Sequence, residues 1–155
     1  PMIKNAKHLI EIIDTCRWPP AGKRGVGFSR ANLFGKNFEQ YNKEAQTPFI
    51  VAQIEHINAV NNLKEILEVD GLDAIIVGPY DLSASMGITA EFNNKIFLDV
   101  MDKIINLCKD YNVPCGDHVV EPDPEILDKR IKQGYRFIAY GTDGVFFYNS
   151  SKNPK

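Results

Sequence analysis

The chain has 155 residues, 44% hydrophobic and 25% charged, with a formal net charge of −2. That length builds one domain with a real core, and the charge balance leaves no basic footprint for nucleic acid or an anionic membrane. No apolar run approaches the length of a membrane span and no secretory leader is visible, while Cys16, Cys108 and Cys115 lack metal-ligand spacing, which points to reduced thiols in a cytoplasmic protein.

Pro1-Met2-Ile3 reads as the tail of a strand whose earlier part lies outside the sequence. Apolar residues at Ala6, Leu9, Ile10 and Ile13 recur at helical spacing and predict a helix from about Lys4 to Arg17, with Asn5 as its N-cap. Trp18-Pro19-Pro20 ends it. Gly22-Lys23-Arg24-Gly25-Val26-Gly27 follows, a glycine-rich basic loop without the spacing of a dinucleotide or P-loop fingerprint. It reads as a tight connection whose arginine makes a structural or inter-subunit ion pair. Phe28, Phe34, Phe38 and Tyr41 have the spacing of core or interface aromatics, with a helix over about Asn37–Ala45.

Pro48 to Glu55 is nearly continuous in apolar residues, as in a strand buried on both faces, and ends in Gln53, Glu55 and His56. A helix is predicted from Ile57 to Val69, closed by Asp70-Gly71. Ala74-Ile75-Ile76-Val77 is the next strand, broken by Gly78-Pro79, and a loop to Gly87 carries Asp81, Ser83 and Ser85. A long amphipathic helix covers about Asn93–Tyr111. Val113–Val120 is a third strand, Glu125–Gln133 a helix, Arg136–Gly141 a fourth strand and Gly144–Ser150 a short helix. Residues 1–150 are expected to form a single partial barrel domain, and 151–155 a frayed tail.

Strands alternating with helices predict an α/β fold with a parallel sheet. Periodicity leaves open whether these βα units form a small doubly wound sheet or half of a (β/α)8 barrel. In either case Glu55, Asp81, His118 and Asp143 fall at strand ends on one edge. Glu55 and Asp81 end consecutive strands, where two carboxylates repel unless a cation lies between them. Two protein oxygens, with the other positions left to water and substrate, suit Mg2+ or Mn2+. Two helix-capping acids would have the same spacing. His118 is a candidate metal ligand or base, with a satisfied structural histidine the favoured reading, and Asp143 reads as a cap or turn acid.

Three stretches together resemble the HpcH/HpaI aldolases, metal-dependent class II enzymes of the phosphoenolpyruvate/pyruvate TIM-barrel superfamily. They are Arg17 to Gly27, Val51-Ala52-Gln53-Ile54-Glu55, and Gly78-Pro79-Tyr80-Asp81-Leu82-Ser83-Ala84-Ser85-Met86-Gly87. The resemblance implies the C-terminal half of the barrel, about strands five to eight. It implies Glu55 and Asp81 as ligands of a divalent metal (Mg2+, Mn2+ or Co2+). It places Gln53, Gly78, Pro79, Tyr80 and Asp81 around pyruvate or another 2-oxo acid, with the Tyr80 and Asp81 backbone amides on the carboxylate. The implied reaction cleaves 4-hydroxy-2-oxo acids to pyruvate and an aldehyde. The family's catalytic histidine and keto-contacting arginine belong to its first four strands and have no counterpart here, so no catalytic residue is assigned in this chain. A homo-oligomer or a complementary half-barrel is therefore expected. A non-catalytic binding or assembly half-barrel is an alternative, as is a citrate-lyase β or malyl-CoA-lyase type of enzyme.

Overall fold

Four apolar runs become the strands β1 (Val51–Ile54), β2 (Ala74–Val77), β3 (Cys115–Val119) and β4 (Phe137–Tyr140) in the computed structural model, which describes residues 1–151. All three pairings are parallel and the strand order is β1-β2-β3-β4. This order decides between the two architectures left open by periodicity. A doubly wound sheet reverses its strand order at a switch point, whereas a barrel segment runs in sequence.

The two faces of the sheet confirm the barrel geometry. Ala52, Ile54, Ile75, Val77 and Cys115 share a core with Leu9 and Ile13, Leu63 and Ile66, and Phe97, Met101 and Ile104. Those partners lie on the helices α1 (Ala6–Cys16), α4 (Leu63–Leu67) and α6 (Lys95–Asp110). Burying each of the Leu, Ile, Val, Phe and Met side chains contributes about 1.5–3 kcal/mol, so this is the face that holds the fold together. On the opposite face Gln53, Ile76, His118 and Phe137 are only half-buried. That face corresponds to the inside of a barrel.

The helix termini follow local chemistry. Asn5 caps α1 by accepting the His8 N–H at 2.8 Å, and Asn94 caps α6 through the Ile96 N–H. Asp123 caps α7 (Pro124–Gln133), and Gly134 ends it at φ +100°. The segment expected as one helix after Glu55 is two, α3 (Ile57–Asn61) and α4. They part at Asn62, whose Nδ2 donates to the Lys4 carbonyl. Thr142, not Asp143, caps α8 (Asp143–Ser150), while Asp143 Oδ1 accepts from the Gly144 N–H. Of the expected tail, Ser151 caps α8 through the Phe147 carbonyl; residues 152–155 lie outside the described residues.

The basic loop after α1 is a packing device. A Cβ at Gly22 would fall 2.3 Å from the Asp14 carbonyl oxygen and 2.6 Å from Arg17 Cβ, so only glycine fits. Lys23 pairs with Asp14. Among the described residues Arg24 makes no ion pair. Its guanidinium lies 5.6 Å from the Trp18 and Tyr41 ring centres and donates to Tyr41 Oη at 2.8 Å. Trp18 is buried beneath Phe38 and Tyr41, on or beside α2 (Phe38–Glu44), while Phe28 and Phe34 are exposed.

Pro1-Met2-Ile3 is not part of the sheet, contrary to the reading as a strand tail. Met2 sits at φ +56° and gives its N–H to a side chain, Glu55, instead of to a neighbouring strand. No helix among the described residues is long and apolar enough to cross a membrane.

Candidate active site

The C-terminal end of β1 delivers Glu55 into a buried position, 3% exposed. One carboxylate oxygen accepts the Met2 N–H at 2.6 Å and the other accepts Gln53 Nε2 at 2.7 Å. Gln53 precedes Glu55 by two residues, so both project from the same face of the strand. Among the described residues no lysine, arginine or histidine pairs with this carboxylate. It is a buried acid with hydrogen bonds but no counter-charge.

β2 ends beside it. The Gly78 N–H bonds to the Ile54 carbonyl at 3.2 Å, which brings the Gly78 Cα against the Glu55 side chain. A Cβ there would lie 2.7 Å from Glu55 Oε2, 2.9 Å from Glu55 Cβ and 3.1 Å from Gln53 Nε2. The glycine serves close approach, not an unusual backbone angle, since its φ is −100°.

Pro79 corrects one expectation. The Gly78-Pro79 break, expected to open a loop, opens the helix α5 (Pro79–Ser85). Proline at the first helical position lacks an N–H that would be unsatisfied anyway, and its fixed φ suits the turn. Tyr80 and Asp81 therefore occupy the first turn, with N–H groups that donate to no acceptor among the described residues. Asp81 is exposed and its carboxylate makes no hydrogen bond or ion pair among the described residues. Tyr80 is held edge-on against Phe92 at 4.9 Å between ring centres. The hydroxyls nearby are structural. Ser83 Oγ links the Tyr80 carbonyl to the Ala90 N–H, and Ser85 Oγ ties Leu82 to the Ile57 N–H.

The capping alternative for the two acids does not hold. His56 caps α3, its Nδ1 accepting the Asn58 N–H, and Gly78 occupies the N-cap of α5. Among the described residues no three of His, Cys, Asp and Glu cluster as a ready metal cage.

One feature escaped the sequence reading and a second departs from it. Asp117 is 1% exposed on β3, with Arg130 Nε of α7 2.6 Å from its Oδ2. Burial pushes the Asp117 carboxyl above the usual carboxylate range, and the pull of Arg130 only partly offsets it. The signal was available: Asp117 alternates with Cys115 and Val119, both buried, so it had to face the helices and needed a cation there. The second feature is His118. Its Nε2 is buried with no hydrogen-bond partner among the described residues, unlike the satisfied structural histidine expected.

With this geometry, comparison with known proteins is decisive. A family model described as HpcH/HpaI aldolase/citrate lyase matches residues 1–150. The chain belongs to that family. It is 33% identical over 157 aligned positions to the hydroxypyruvate/pyruvate aldolase of Roseobacter denitrificans, covering 99% of this chain and 60% of that protein. It is 34% identical to the 2-keto-3-deoxy-L-rhamnonate aldolase of Klebsiella pneumoniae, over 95% of this chain and 55% of the relative. A crystal structure of an HpcH/HpaI aldolase/citrate lyase family protein from Burkholderia cenocepacia superposes with a TM-score of 0.88 at 25% identity, covering 97% of this chain and 60% of that one. The chain thus spans little more than half the length of these HpcH/HpaI relatives, in keeping with four sequential βα units.

Proposed function

We propose that this chain carries the metal- and carboxylate-binding half of a class II aldolase site that cleaves 4-hydroxy-2-oxo acids to pyruvate and an aldehyde. The observation that carries the proposal is Glu55, a buried carboxylate with no cationic partner at the end of a strand whose neighbour delivers Asp81. Buried charges are paired or coordinate metals, and among the described residues this one has only two hydrogen-bond donors as partners. The donor set fits a hard divalent cation. Each Glu55 oxygen uses one of its two lone-pair directions, and the Asp81 carboxylate is unengaged. Mg2+, Mn2+ or Co2+ are the candidates.

A divalent cation bound there supplies the Lewis acidity that stabilises negative charge developing on the 2-oxo oxygen. The residues of the chain do the rest of the binding. Gln53 fixes the orientation of the Glu55 carboxylate through its Nε2. The free N–H groups of Tyr80 and Asp81 receive the substrate carboxylate, and Pro79 and Gly78 set the turn that presents them. Proton transfer needs groups beyond this chain, as the family resemblance implies. The half-buried face bearing Gln53, Ile76 and Phe137 is where a complementary half-barrel or a second copy would bring them.

Calorimetric titration of Mn2+ into wild type and Asp81→Ala tests the site. The variant is expected to lose at least about tenfold in affinity while keeping its fold, since the Asp81 carboxylate is exposed and makes no hydrogen bond or ion pair among the described residues. Equal affinities would remove Asp81 as a ligand. Pyruvate release from 4-hydroxy-2-oxopentanoate by this chain alone is expected to be slow, and fast turnover would refute the assignment of proton transfer to groups outside it.

A further inference from the structure

Hydrogen bonds on either side of the two acids join the segment that carries Glu55 to the segment that carries Asp81. Before them, the Gly78 N–H donates to the Ile54 carbonyl at 3.2 Å. Beyond them, the Ile57 N–H donates to Ser85 Oγ at 2.9 Å. Glu55 and Asp81 are thus bracketed. The first bond is between backbones and continues the parallel pairing of β1 with β2. The second depends on one side chain, that of Ser85, the last residue of α5.

The orientation of that hydroxyl is set from both sides. Its proton goes to the Leu82 carbonyl at 2.7 Å, which leaves a lone pair for the Ile57 N–H. Ile57 opens α3, and a first-turn N–H has no carbonyl of its own helix to reach. His56 caps α3 through the Asn58 N–H and leaves Ile57 to Ser85. Ser83, by contrast, turns its hydroxyl to the Ala90 N–H and acts on the chain after α5. Helix geometry ties Asp81 to the Ser85 contact. Residues four apart share a helix face, so the face by which Ser85 reaches Ile57 bears Asp81 one turn earlier. Asp81 lies about 4.5 Å along α5 from Gly78, and Ser85 about 6 Å further on. With the Gly78 end held, a shift of about 1 Å at Ser85 moves Asp81 by about 0.4 Å, whereas metal–ligand distances are held to within about 0.2 Å.

We infer that Ser85 is a positioning residue of the proposed metal site: its hydroxyl clamps the end of α5 to the start of α3 and so sets Asp81 relative to Glu55. The inference rests on the ligand roles proposed above for those two acids. Ser85 is itself no ligand; it acts through Asp81. Removing the hydroxyl weakens metal binding although both acids are still present, and a residue that brings a hydroxyl back restores it.

Calorimetric titration of Mn2+ into the whole chain compares wild type with Ser85→Ala, Ser85→Thr, Asp81→Ala and the double variant Ser85→Ala with Asp81→Ala. Ser85→Ala is expected to lose about tenfold in affinity, the effect of an outer-shell partner, and Ser85→Thr to keep most of it. Because Ser85 acts through Asp81, the double variant should bind no more weakly than Asp81→Ala. Amide exchange at Ile57 without metal reads the clamp itself and should quicken in Ser85→Ala. If alanine disturbs folding, Ser85→Cys, of similar size and weaker hydrogen bonding, gives the same comparison. An unchanged Mn2+ affinity in Ser85→Ala, an equal loss in Ser85→Thr, an Ile57 amide that exchanges no faster, or losses that add in the double variant would overturn the inference. Those results leave the metal site standing as long as Asp81→Ala alone loses affinity. Failure of wild type to bind Mn2+, or equal binding by Asp81→Ala, would overturn the site and the clamp with it, so the two failures are distinguishable.

Discussion

Replacing Glu55 by Gln separates a carboxylate kept for metal from one kept for structure. In wild type the buried side chain loses several kcal/mol of hydration, and no cation offsets that loss among the described residues. Two charge-assisted bonds, from the Met2 N–H and Gln53 Nε2, offset much of that loss. These contributions nearly cancel, so the neutral isostere costs little without metal. Its oxygen still accepts from Met2, and the Gln53 amide can turn its oxygen toward the new NH2. The metal-free melting temperature of Glu55→Gln is expected to match or exceed that of wild type. With Mn2+ at a hundredfold excess over Kd, wild type gains about 2.7 kcal/mol, or about 5–11 °C in a chain of this size. Glu55→Gln should gain nothing. Differential scanning fluorimetry with and without Mn2+ reads both effects. Equal metal-dependent shifts in the two proteins would refute the ligand role. A metal-free variant destabilised by more than about 3 kcal/mol would show that the carboxylate is a structural group.

Gly78→Ala forces a methyl to within 2.7 Å of Glu55 Oε2, so stability should fall by about 1–3 kcal/mol and Mn2+ affinity with it, read by denaturant unfolding and calorimetry. An alanine variant unchanged in both would mean that the strand ends are looser than this geometry. Arg130→Met leaves Asp117 as a buried carboxylate without a partner and should cost about 3–5 kcal/mol, whereas the paired change Asp117→Leu with Arg130→Met should recover most of that loss. The pH dependence of Asp117 has a definite sign. Its folded pKa lies above its ordinary value of 3.8, so the folded state holds the proton more tightly. Its contribution is full below 3.8 and is lost as pH rises through the folded pKa. Asp117→Asn should flatten this acid-side decline in urea midpoints, and an identical profile in the variant would rule Asp117 out as its source.

Particular residues mark what could be read in the sequence and what could not. The strand over about Ala74–Val77 was legible, because the β-branched run Ile75-Ile76-Val77 ending at Gly78 has no competing pattern. Pro79 was misread because the same residue ends a strand and starts a helix, and only the position of the following helix shows which. The break at Asn62 was invisible in periodicity, since a contact to Lys4, far away in sequence, draws that residue's side chain outward. Asp117 and His118 looked like two polar residues near a strand end. Their separation onto opposite faces follows from alternation, but the partner of one and the isolation of the other depend on α7 and on the neighbouring strand.

The sequence by itself determined the alternation of strands and helices, the two acids one βα unit apart and the family motif around them, because periodicity and local turn chemistry act over a few residues. Only the tertiary structure decided that the strands run in sequential order with one face open. It also decided that Glu55 is buried against Gly78 without a counter-charge. These are distances between segments far apart in the chain, fixed by packing the helices on one side of a twisted parallel sheet, and no local pattern encodes them.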